Sequence, residues 1–252
     1  MQRNLENKTV WVTGASGGMG QKIATTFSDM KMKVILSDIN EDGLLKTASK
    51  CSNFVSIKPF DITSVNEVKK TIQEIKNEFG YLDILVNAAG MNIQNRDWDN
   101  IDENEWDLIF KVNVNGMFYC CKSALPIMKK QKDGLIINIS SWAGNHISFL
   151  SGTSYIASKH AVNAMTETIN MKYCNLGIRA CAVCPGEVST PLLDQRPIPI
   201  SQEDKDKMLQ TEDISETVAF ISQMPKHVCI NQITLSPTWN RLYTSALGLE
   251  KI

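Results

Sequence analysis

The 252-residue sequence has no excess of either charge, no apolar run of membrane-spanning length and only three histidines. Lys and Arg number 26 against 27 Asp and Glu and are spread along the chain, so we expect no nucleic-acid partner. The first residues, MQRNLENKTV, are polar and lack the apolar segment of a secretory signal. Because no membrane span is expected either, the sequence predicts a cytoplasmic protein.

Cysteine and histidine are arranged unlike a disulfide framework or a metal site. Seven cysteines are an odd number, and CAVC lies in IRACAVCPG, a pattern typical of a buried strand. Side chains three apart on a strand point to opposite faces, so Cys181 and Cys184 should not meet and are interpreted as small core residues. The spacing of His146, His160 and His227 is unlike that of metal ligands, and we expect no metal.

What the sequence does contain is an alternation of short apolar runs and helical patterns. Seven runs are typical of strands: KTVWVTG, KVILSD, FVSIKPFD, LDILVNAAG, GLIINISS, IRACAVCPG and INQITLS. Helical patterns separate them, including SVNEVKKTIQEIKNEFG, which ends at Gly80, and one long helix over about 103–130. This alternation indicates an α/β fold, in which residues 1–252 form a single domain around a doubly wound parallel sheet of about seven strands with helices on both faces. We expect 187–210 to form a substrate-side loop and 237–252 a C-terminal tail.

A glycine-rich turn joins the first strand to the first helix in WVTGASGGMGQKIA. Gly14, Gly18 and Gly20 allow a tight turn and close approach of a ligand, and the following helix N-terminus directs its amides at a phosphate. The spacing differs from G-x-G-x-x-G, so the motif alone is only moderately specific. The same residues also match G-x-S-x-G, which would make Ser16 the nucleophile of a hydrolase. That alternative gives Gly20 no role and lacks a recognisable downstream histidine.

Asp38 ends the second strand, eighteen residues past Gly20. A carboxylate at this position accepts hydrogen bonds from an adenosine ribose and repels a 2′-phosphate. Positions 14–20 and 38–45 contain no Lys or Arg to receive such a phosphate, so the sequence favours NAD over NADP. The alternative is that Asp38 only caps the helix that follows it.

Tyr155 and Lys159 are four residues apart in SGTSYIASKHAVNA, so they share one face of the predicted helix. A tyrosine base near pH 7 needs its pKa lowered by about three units, or about 4 kcal/mol. One lysine charge about 4 Å away supplies about 4 kcal/mol at an effective dielectric constant of about 20. By itself such a pair is more often an ordinary helix face, and the motifs upstream favour the catalytic interpretation.

Taken together, these motifs resemble the short-chain dehydrogenase/reductase family from about Lys8 to Trp239. The residues that carry the resemblance are TGASGGMG (13–20), NAAG (87–90), Asn113 in VNVNG, Ser141 in NISSWAG, Tyr155 with Lys159, and PGEVST (185–190). The resemblance implies a Rossmann-type fold, a homodimer or homotetramer, and NAD-dependent interconversion of a small alcohol and its carbonyl.

The resemblance also implies a role for each matching residue. The acid/base would be Tyr155, its modulator and a ribose ligand Lys159, the substrate-oxygen ligand Ser141, and a member of a proton relay Asn113. Besides Tyr155 and Lys159, ligands of the cofactor would be Gly14, Ser16, Gly17, Gly18, Met19 and Gly20 at the pyrophosphate, Asp38 at the ribose, Asp61 and Ile62 at the adenine, Asn87, Ala88 and Gly90 on the adenosine side, and Val188 and Thr190 at the nicotinamide.

Two features differ from the family pattern. Ser141 lies fourteen residues before Tyr155, one more than expected, and Trp142 occupies the usual offset. We assign Ser141 because it follows the fifth strand, with Ser140, Ser151 and Ser154 as alternatives. The last strand is followed by LSPTWNRLYTSALGLEKI rather than an Asp-Gly-Gly run, so we expect the substrate side to differ from the family pattern.

The few arginines suggest a substrate class. Of five in the chain, Arg96, Arg196 and Arg241 follow predicted strands at the edge where the cofactor's reactive end would bind. Because a guanidinium suits carboxylates, sulfonates and phosphates, we predict an anionic substrate held by Arg96 and Arg241, the alternative being solvated loop arginines. Two alternatives to the dehydrogenase remain: a non-catalytic NAD-binding sensor or scaffold, and the Ser16 hydrolase.

Overall fold

The computed structural model describes residues 2–148, 150–195, 200–241 and 243. Within them, seven strands form one parallel sheet in the order β3-β2-β1-β4-β5-β6-β7. The predicted doubly wound parallel sheet is thereby confirmed. The strands are β1 (Thr9–Thr13), β2 (Lys33–Ser37), β3 (Val55–Ile57), β4 (Ile84–Asn87), β5 (Gly134–Ile139), β6 (Ile178–Pro185) and β7 (Gln232–Leu235).

Helices cover both faces of the sheet. They are α1 (Gly18–Asp29), α2 (Glu41–Ala48), α3 (Val65–Phe79), α4 (Glu103–Phe110), α5 (Met117–Gln131), α6 (Thr153–Tyr173), α7 (Gln202–Lys207) and α8 (Thr211–Ser222). The long helix predicted over about 103–130 is present, and it contains a π-helical turn, Lys111–Gly116, between α4 and α5. The sequence analysis also missed α7 and α8, although Ile214, Val218 and Ile221 have helical spacing and are buried.

Strand β1 shows how the core is built. Val10 and Val12 point to the layer of α1, α2 and α8, whereas Trp11 points to the layer of α3, α5 and α6. The buried indole N–H of Trp11 donates to the hydroxyl of Ser37 at 2.9 Å, so its polar atom is satisfied. The strand is apolar on both faces because helices cover both faces of the sheet.

The CAVC pair behaves as the sequence predicts. Cys181 belongs to the core layer of α1 and α8, while the Cys184 thiol points to Asn163 of α6, with its sulfur 3.6 Å from the amide oxygen. All seven cysteines are free thiols, and burial raises the pKa of Cys181 to about 12. In the described residues no group of three or more His, Cys, Asp or Glu side chains could hold a metal ion.

The chain direction places a crevice at one end of the sheet. β1 lies between β2 and β4, with Thr13 opposite both Ser37 and Asn87. The strand order reverses at this point, so the loops that leave β1 and β4 diverge and open a crevice beyond the carboxyl ends of the strands. None of the helices in the described part of the chain is long and apolar enough to cross a membrane.

Candidate active site

The glycine turn after β1 depends on the absence of side chains. Gly14 has φ of +70°, and a Cβ there would overlap the backbone of Ala89 beyond β4. A Cβ on Gly20 would overlap the Gly14 carbonyl, so helix α1 can approach the turn only if both residues are glycine. Gly18, with φ of +51°, begins α1, and a Cβ on Gly17 would meet nothing within 4 Å. The turn therefore leaves open space in front of the α1 N-terminus.

A cleft of about 460 Å³ occupies that space. It contains no Lys or Arg among its described lining residues and no His, which leaves Ser16 without the base a hydrolase requires. Twelve of the sixteen predicted cofactor residues line this cleft: Gly14, Ser16, Gly17, Gly18, Met19, Gly20, Asp38, Asp61, Ile62, Ala88, Gly90 and Thr190.

Asp38 lies at the cleft and does not cap helix α2. Its carboxylate accepts hydrogen bonds from the backbone N–H groups of Ser16 at 3.3 Å and Asn40 at 3.0 Å. The cap of α2 is Asn40, whose side chain accepts from the Gly43 N–H at 3.1 Å. The carboxylate is therefore fixed between the glycine turn and the end of β2, beside the cleft.

Asn87 is placed differently from the prediction. Its side chain is buried and does not line the cleft; instead it donates to Asn138 on β5 at 2.8 Å. Asn138 donates in turn to Thr166 on α6 at 2.8 Å. The amide of Asn87 thus joins β4 to β5 and α6, and the following residues Ala88 and Gly90 form the cleft wall.

A second, smaller cavity of about 110 Å³ adjoins the cleft and shares Met19, Thr190 and Leu192 with it. Three of the residues predicted for catalysis or cofactor binding line this cavity and not the cleft: Ser141, Tyr155 and Val188. The structure therefore brings the predicted acid/base and substrate-oxygen residues together at one end of the predicted cofactor cleft.

Lys159 lies behind Tyr155 and is almost fully buried. Its Nζ is 5.5 Å from the centroid of the Tyr155 ring and donates to the Ile139 carbonyl at 2.9 Å. Burial lowers the pKa of Lys159 to about 8, and Cys184 opposes this shift. At neutral pH the side chain remains mostly an ammonium, so a positive charge faces the phenol ring from inside the protein.

Asn113 lies in the π-helical turn, and its side chain points away from its own helix. The amide oxygen accepts from the Met91 N–H at 2.9 Å, and the amide nitrogen donates to the Met91 carbonyl at 3.0 Å and to Ser158 at 3.2 Å. A Cβ on Gly90 would lie 3.5 Å from both the Asn113 amide oxygen and the Lys159 Nζ. Asn113 and Lys159 therefore flank the same glycine beyond β4. A π-turn at such a position is frequent at functional sites.

The candidate serines differ in what their hydroxyls contact. Ser141 lines the cavity, and its hydroxyl accepts from the Ala143 N–H at 3.1 Å at the start of a short 3-10 turn. Ser140 also lines the cavity, but its buried hydroxyl donates to the Lys159 carbonyl at 3.3 Å. Ser154 is buried and lies outside the cavity lining, whereas Ser151 is part of it.

The two arginines predicted to bind an anion are both engaged within the protein. Arg96 lines the cavity, but its guanidinium donates to the carbonyls of Ile93 at 2.5 Å and Leu150 at 3.0 Å. Arg241 is not among the lining residues and forms two hydrogen bonds with Glu187, which does line the cavity. Glu187 was not predicted as a site residue, although it lines the cavity. Arg196, the third predicted arginine, lies outside the described residues. This geometry does not add support for an anionic substrate.

Comparisons with known proteins identify the family. The profile described as short chain dehydrogenase matches residues 8–198. An uncharacterized oxidoreductase of Staphylococcus aureus strain MRSA252 is 35% identical over 234 residues, which cover 92% of this chain and 98% of the relative.

Solved structures have the same fold. Serine dehydrogenase in its closed form, complexed with NADP+, superposes with a TM-score of 0.83 at 26% identity and covers 91% of this chain and 94% of its own. A 3-ketoacyl-(acyl-carrier-protein) reductase from Brucella melitensis, complexed with NADH, gives a TM-score of 0.84 at 25% identity, with coverages of 93% and 98%. Together with the matched sequence profile, these likenesses show that the chain belongs to the short-chain dehydrogenase/reductase family and is an oxidoreductase.

Proposed function

We propose that this oxidoreductase interconverts a small alcohol and its carbonyl with NAD, using Tyr155 as the acid/base. The observation that carries the proposal is the position of Tyr155: its ring lies over a buried lysine, in a cavity that joins the glycine-lined cleft. When bound in that cleft, the nicotinamide supplies or accepts the hydride.

The residues fit such a cofactor. The glycine turn leaves room at the α1 N-terminus, where backbone N–H groups and the helix dipole favour the pyrophosphate. Asp38 would accept hydrogen bonds from the adenosine ribose. Val188 and Thr190 would hold the nicotinamide end, because both line the smaller cavity that Tyr155 also lines, which we call the reaction cavity. The proposed cofactor therefore extends from the cleft into that cavity.

The proton chemistry follows from the Tyr155–Lys159 pair. In the direction of carbonyl reduction, the Tyr155 hydroxyl gives its proton to the substrate oxygen, and in alcohol oxidation the phenolate takes it back. Nζ lies 5.5 Å from the ring centroid, and with that distance as the charge separation a lysine ammonium would favour the phenolate by about 3 kcal/mol at an effective dielectric constant of about 20. Asn113 would extend the relay, since it and Lys159 flank Gly90.

Ser141 is proposed to bind the substrate oxygen. It lines the same cavity as Tyr155, and because its hydroxyl accepts from a backbone N–H, its own hydrogen is available to donate. Such a donor would hold the oxygen near the Tyr155 hydroxyl and stabilise charge that develops on it.

The preference for NAD over NADP is likewise a proposal. Asp38 carries a negative charge beside the cleft, and the described cleft lining has no Lys or Arg to balance a 2′-phosphate. The two structural relatives described above were solved with NADP+ and with NADH, so the family likeness favours neither cofactor.

We also propose that the chain assembles as a homodimer or homotetramer. Leu108 on α4, Phe118 on α5 and Met171 on α6 are large apolar side chains left exposed on consecutive helices. Burial of these groups against a second copy would remove them from water. Light scattering measures the assembly directly, and a monomer at micromolar concentration would contradict this part of the proposal.

The activity is tested by incubating the protein with NAD and a panel of small alcohols and following NADH formation. Turnover with at least one alcohol is expected. Binding of NADH without any turnover would favour the sensor or scaffold instead. The panel should also include small hydroxy acids beside neutral alcohols of equal size. Their comparison tests the anionic substrate, which is still a prediction from the sequence.

A further inference from the structure

Arg241 and Glu187 form a two-point ion pair between residues 54 positions apart in the sequence. Arg241 Nε lies 3.0 Å from one carboxylate oxygen and Nη2 lies 2.6 Å from the other. The Glu187 side chain is 9% exposed and that of Arg241 25%. This fork-to-carboxylate geometry fixes the direction of both groups as well as their distance.

The segment that contains Glu187 is the one proposed to hold the nicotinamide end of the cofactor. It leaves β6 at Gly186, whose N–H donates to the Leu235 carbonyl of β7 at 2.7 Å. Ser189 N–H donates to the Leu209 carbonyl at 2.8 Å, and Leu209 N–H donates to the Glu187 carbonyl at 3.0 Å. These three contacts hold the backbone of residues 186–190, and Arg241 holds the Glu187 side chain through the two hydrogen bonds described above.

Two residues beside Arg241 make further contacts, one with helix α7 and one with a residue that lines the cavity. The Trp239 ring lies 5.0 Å from Lys207 Nζ of α7. The Tyr243 ring packs edge-on against Trp142, with 6.2 Å between centroids, and Trp142 lines the reaction cavity. We name Trp239, Arg241 and Tyr243 the C-terminal clasp. Tyr243 and Arg241 of this clasp contact the cavity wall, at Trp142 and at Glu187 respectively.

We propose that Arg241 is a positioning residue that holds Glu187 and thereby sets the segment 187–190 against the nicotinamide end of the bound cofactor. The inference rests on the proposed function. It assigns the C-terminal clasp a part in cofactor binding, although Arg241 itself does not line the cavity.

The charges around the pair support this role. Hydrogen bonds from Arg241 to Glu187 raise the pKa of the guanidinium, and Asp204 adds to the shift. If the arginine were lost, a carboxylate that is mostly buried would stand without that partner in the cavity wall. Without the two hydrogen bonds from Arg241, the Glu187 side chain also loses the direction that the guanidinium fork imposes, and we expect Val188 and Thr190 beside it to shift.

The test compares cofactor binding in Arg241→Met, Arg241→Lys and the double variant Glu187→Gln/Arg241→Met, by titration of NADH fluorescence and by thermal unfolding. Arg241→Met should bind NADH about tenfold more weakly, the scale seen when a group that orients a ligand's own contacts is removed. Arg241→Lys keeps the charge but not the fork, so it should recover only part of the affinity. Arg3→Met is the matched control, because Arg3 pairs with Asp133 at 2.9 Å, at the opposite ends of the strands.

The double variant separates positioning from general stability. Glu187→Gln removes the carboxylate charge that Arg241 balances, so the double variant should regain thermal stability, while its NADH affinity should stay weak because the two hydrogen bonds from Arg241 are still missing. Wild-type NADH affinity in Arg241→Met would overturn the inference, and so would wild-type NADH affinity in both Arg241→Lys and the double variant. An NADH affinity that recovers together with thermal stability would overturn it as well. If the wild-type protein binds neither NADH nor NADPH, the proposed function fails; if it binds and the variants do not differ, only the inference fails.

Discussion

Lys159 Nζ lies 5.5 Å from the centre of the Tyr155 ring and donates to the Ile139 carbonyl at 2.9 Å. Helix α6 sets this relationship, because side chains four residues apart stand above one another on one face. The buried lysine is held by β5 on one side and faces the phenol on the other. Its position therefore depends on the core and not on solvent, which is the condition for a fixed electrostatic effect on Tyr155.

Tyr155→Phe should lose turnover by about three orders of magnitude while binding NADH with nearly unchanged affinity, because only the proton-carrying hydroxyl is removed. Steady-state rates and NADH titration measure the two quantities separately. Tyr81→Phe is the control: the Tyr81 hydroxyl bonds to Lys33 and the Asn7 carbonyl, away from the cavity. A Tyr155→Phe variant as active as Tyr81→Phe would remove Tyr155 from the acid/base role.

Lys159→Met should change how stability depends on pH. Burial lowers the pKa of Lys159 from 10.5 to about 8, so between these values the unfolded state binds a proton that the folded state does not. The wild-type protein should therefore gain stability relative to Lys159→Met as pH rises from about 8 to about 10.5, by about 3 kcal/mol in all. Chemical denaturation of the cofactor-free proteins across this range measures the difference. A difference that stays constant with pH would contradict the buried, partly titrated lysine.

Asp38→Ser should relax cofactor choice, because it removes the charge that would repel a 2′-phosphate. The ratio of kcat/KM for NAD to that for NADP is expected to fall by at least about tenfold. Asp42→Ala serves as the control, since Asp42 is an exposed carboxylate in the first turn of α2. A wild-type protein that uses NADP as well as NAD would contradict the proposed role of Asp38. An equal change of the kcat/KM ratio in Asp38→Ser and Asp42→Ala would contradict it too.

Ser141→Ala and Ser140→Ala should have different effects. Loss of the Ser141 hydroxyl should lower kcat/KM by about a hundredfold, the effect of removing one donor to a developing oxyanion. Ser140 donates to the Lys159 carbonyl, so Ser140→Ala should act mainly on stability, by about 1 kcal/mol. Kinetics and thermal unfolding of both variants distinguish the two serines, and the reverse pattern would transfer the substrate-oxygen role to Ser140.

The sequence predicts those features that depend on local pattern. The seven strands, the glycine turn and the end of α3 at Gly80, which has φ of +74°, all follow from periodicity or from a conformation that glycine favours. The cleft predicted for the cofactor follows as well, because it lies at the carboxyl ends of strands whose order the Rossmann-type resemblance implies.

Features that depend on distant partners were not predictable in this way. Glu187 and Arg241 are 54 residues apart, and nothing local in either stretch signals that they pair. Asn87 follows the pattern of a cleft residue, yet its side chain turns to Asn138 on the neighbouring strand. The π-turn that carries Asn113 is one residue wider than the helix that the apolar spacing predicts.

The central claim is direct hydride transfer between a substrate carbon and NAD at Tyr155. Its most direct test uses an alcohol that the panel shows to be active, labelled with deuterium on the carbinol carbon, with mass spectrometry of the NADH formed. The account predicts that the deuterium arrives in NADH and that the rate of transfer collapses in Tyr155→Phe. Deuterium lost to water, or transfer that persists at the wild-type rate in Tyr155→Phe, would contradict it.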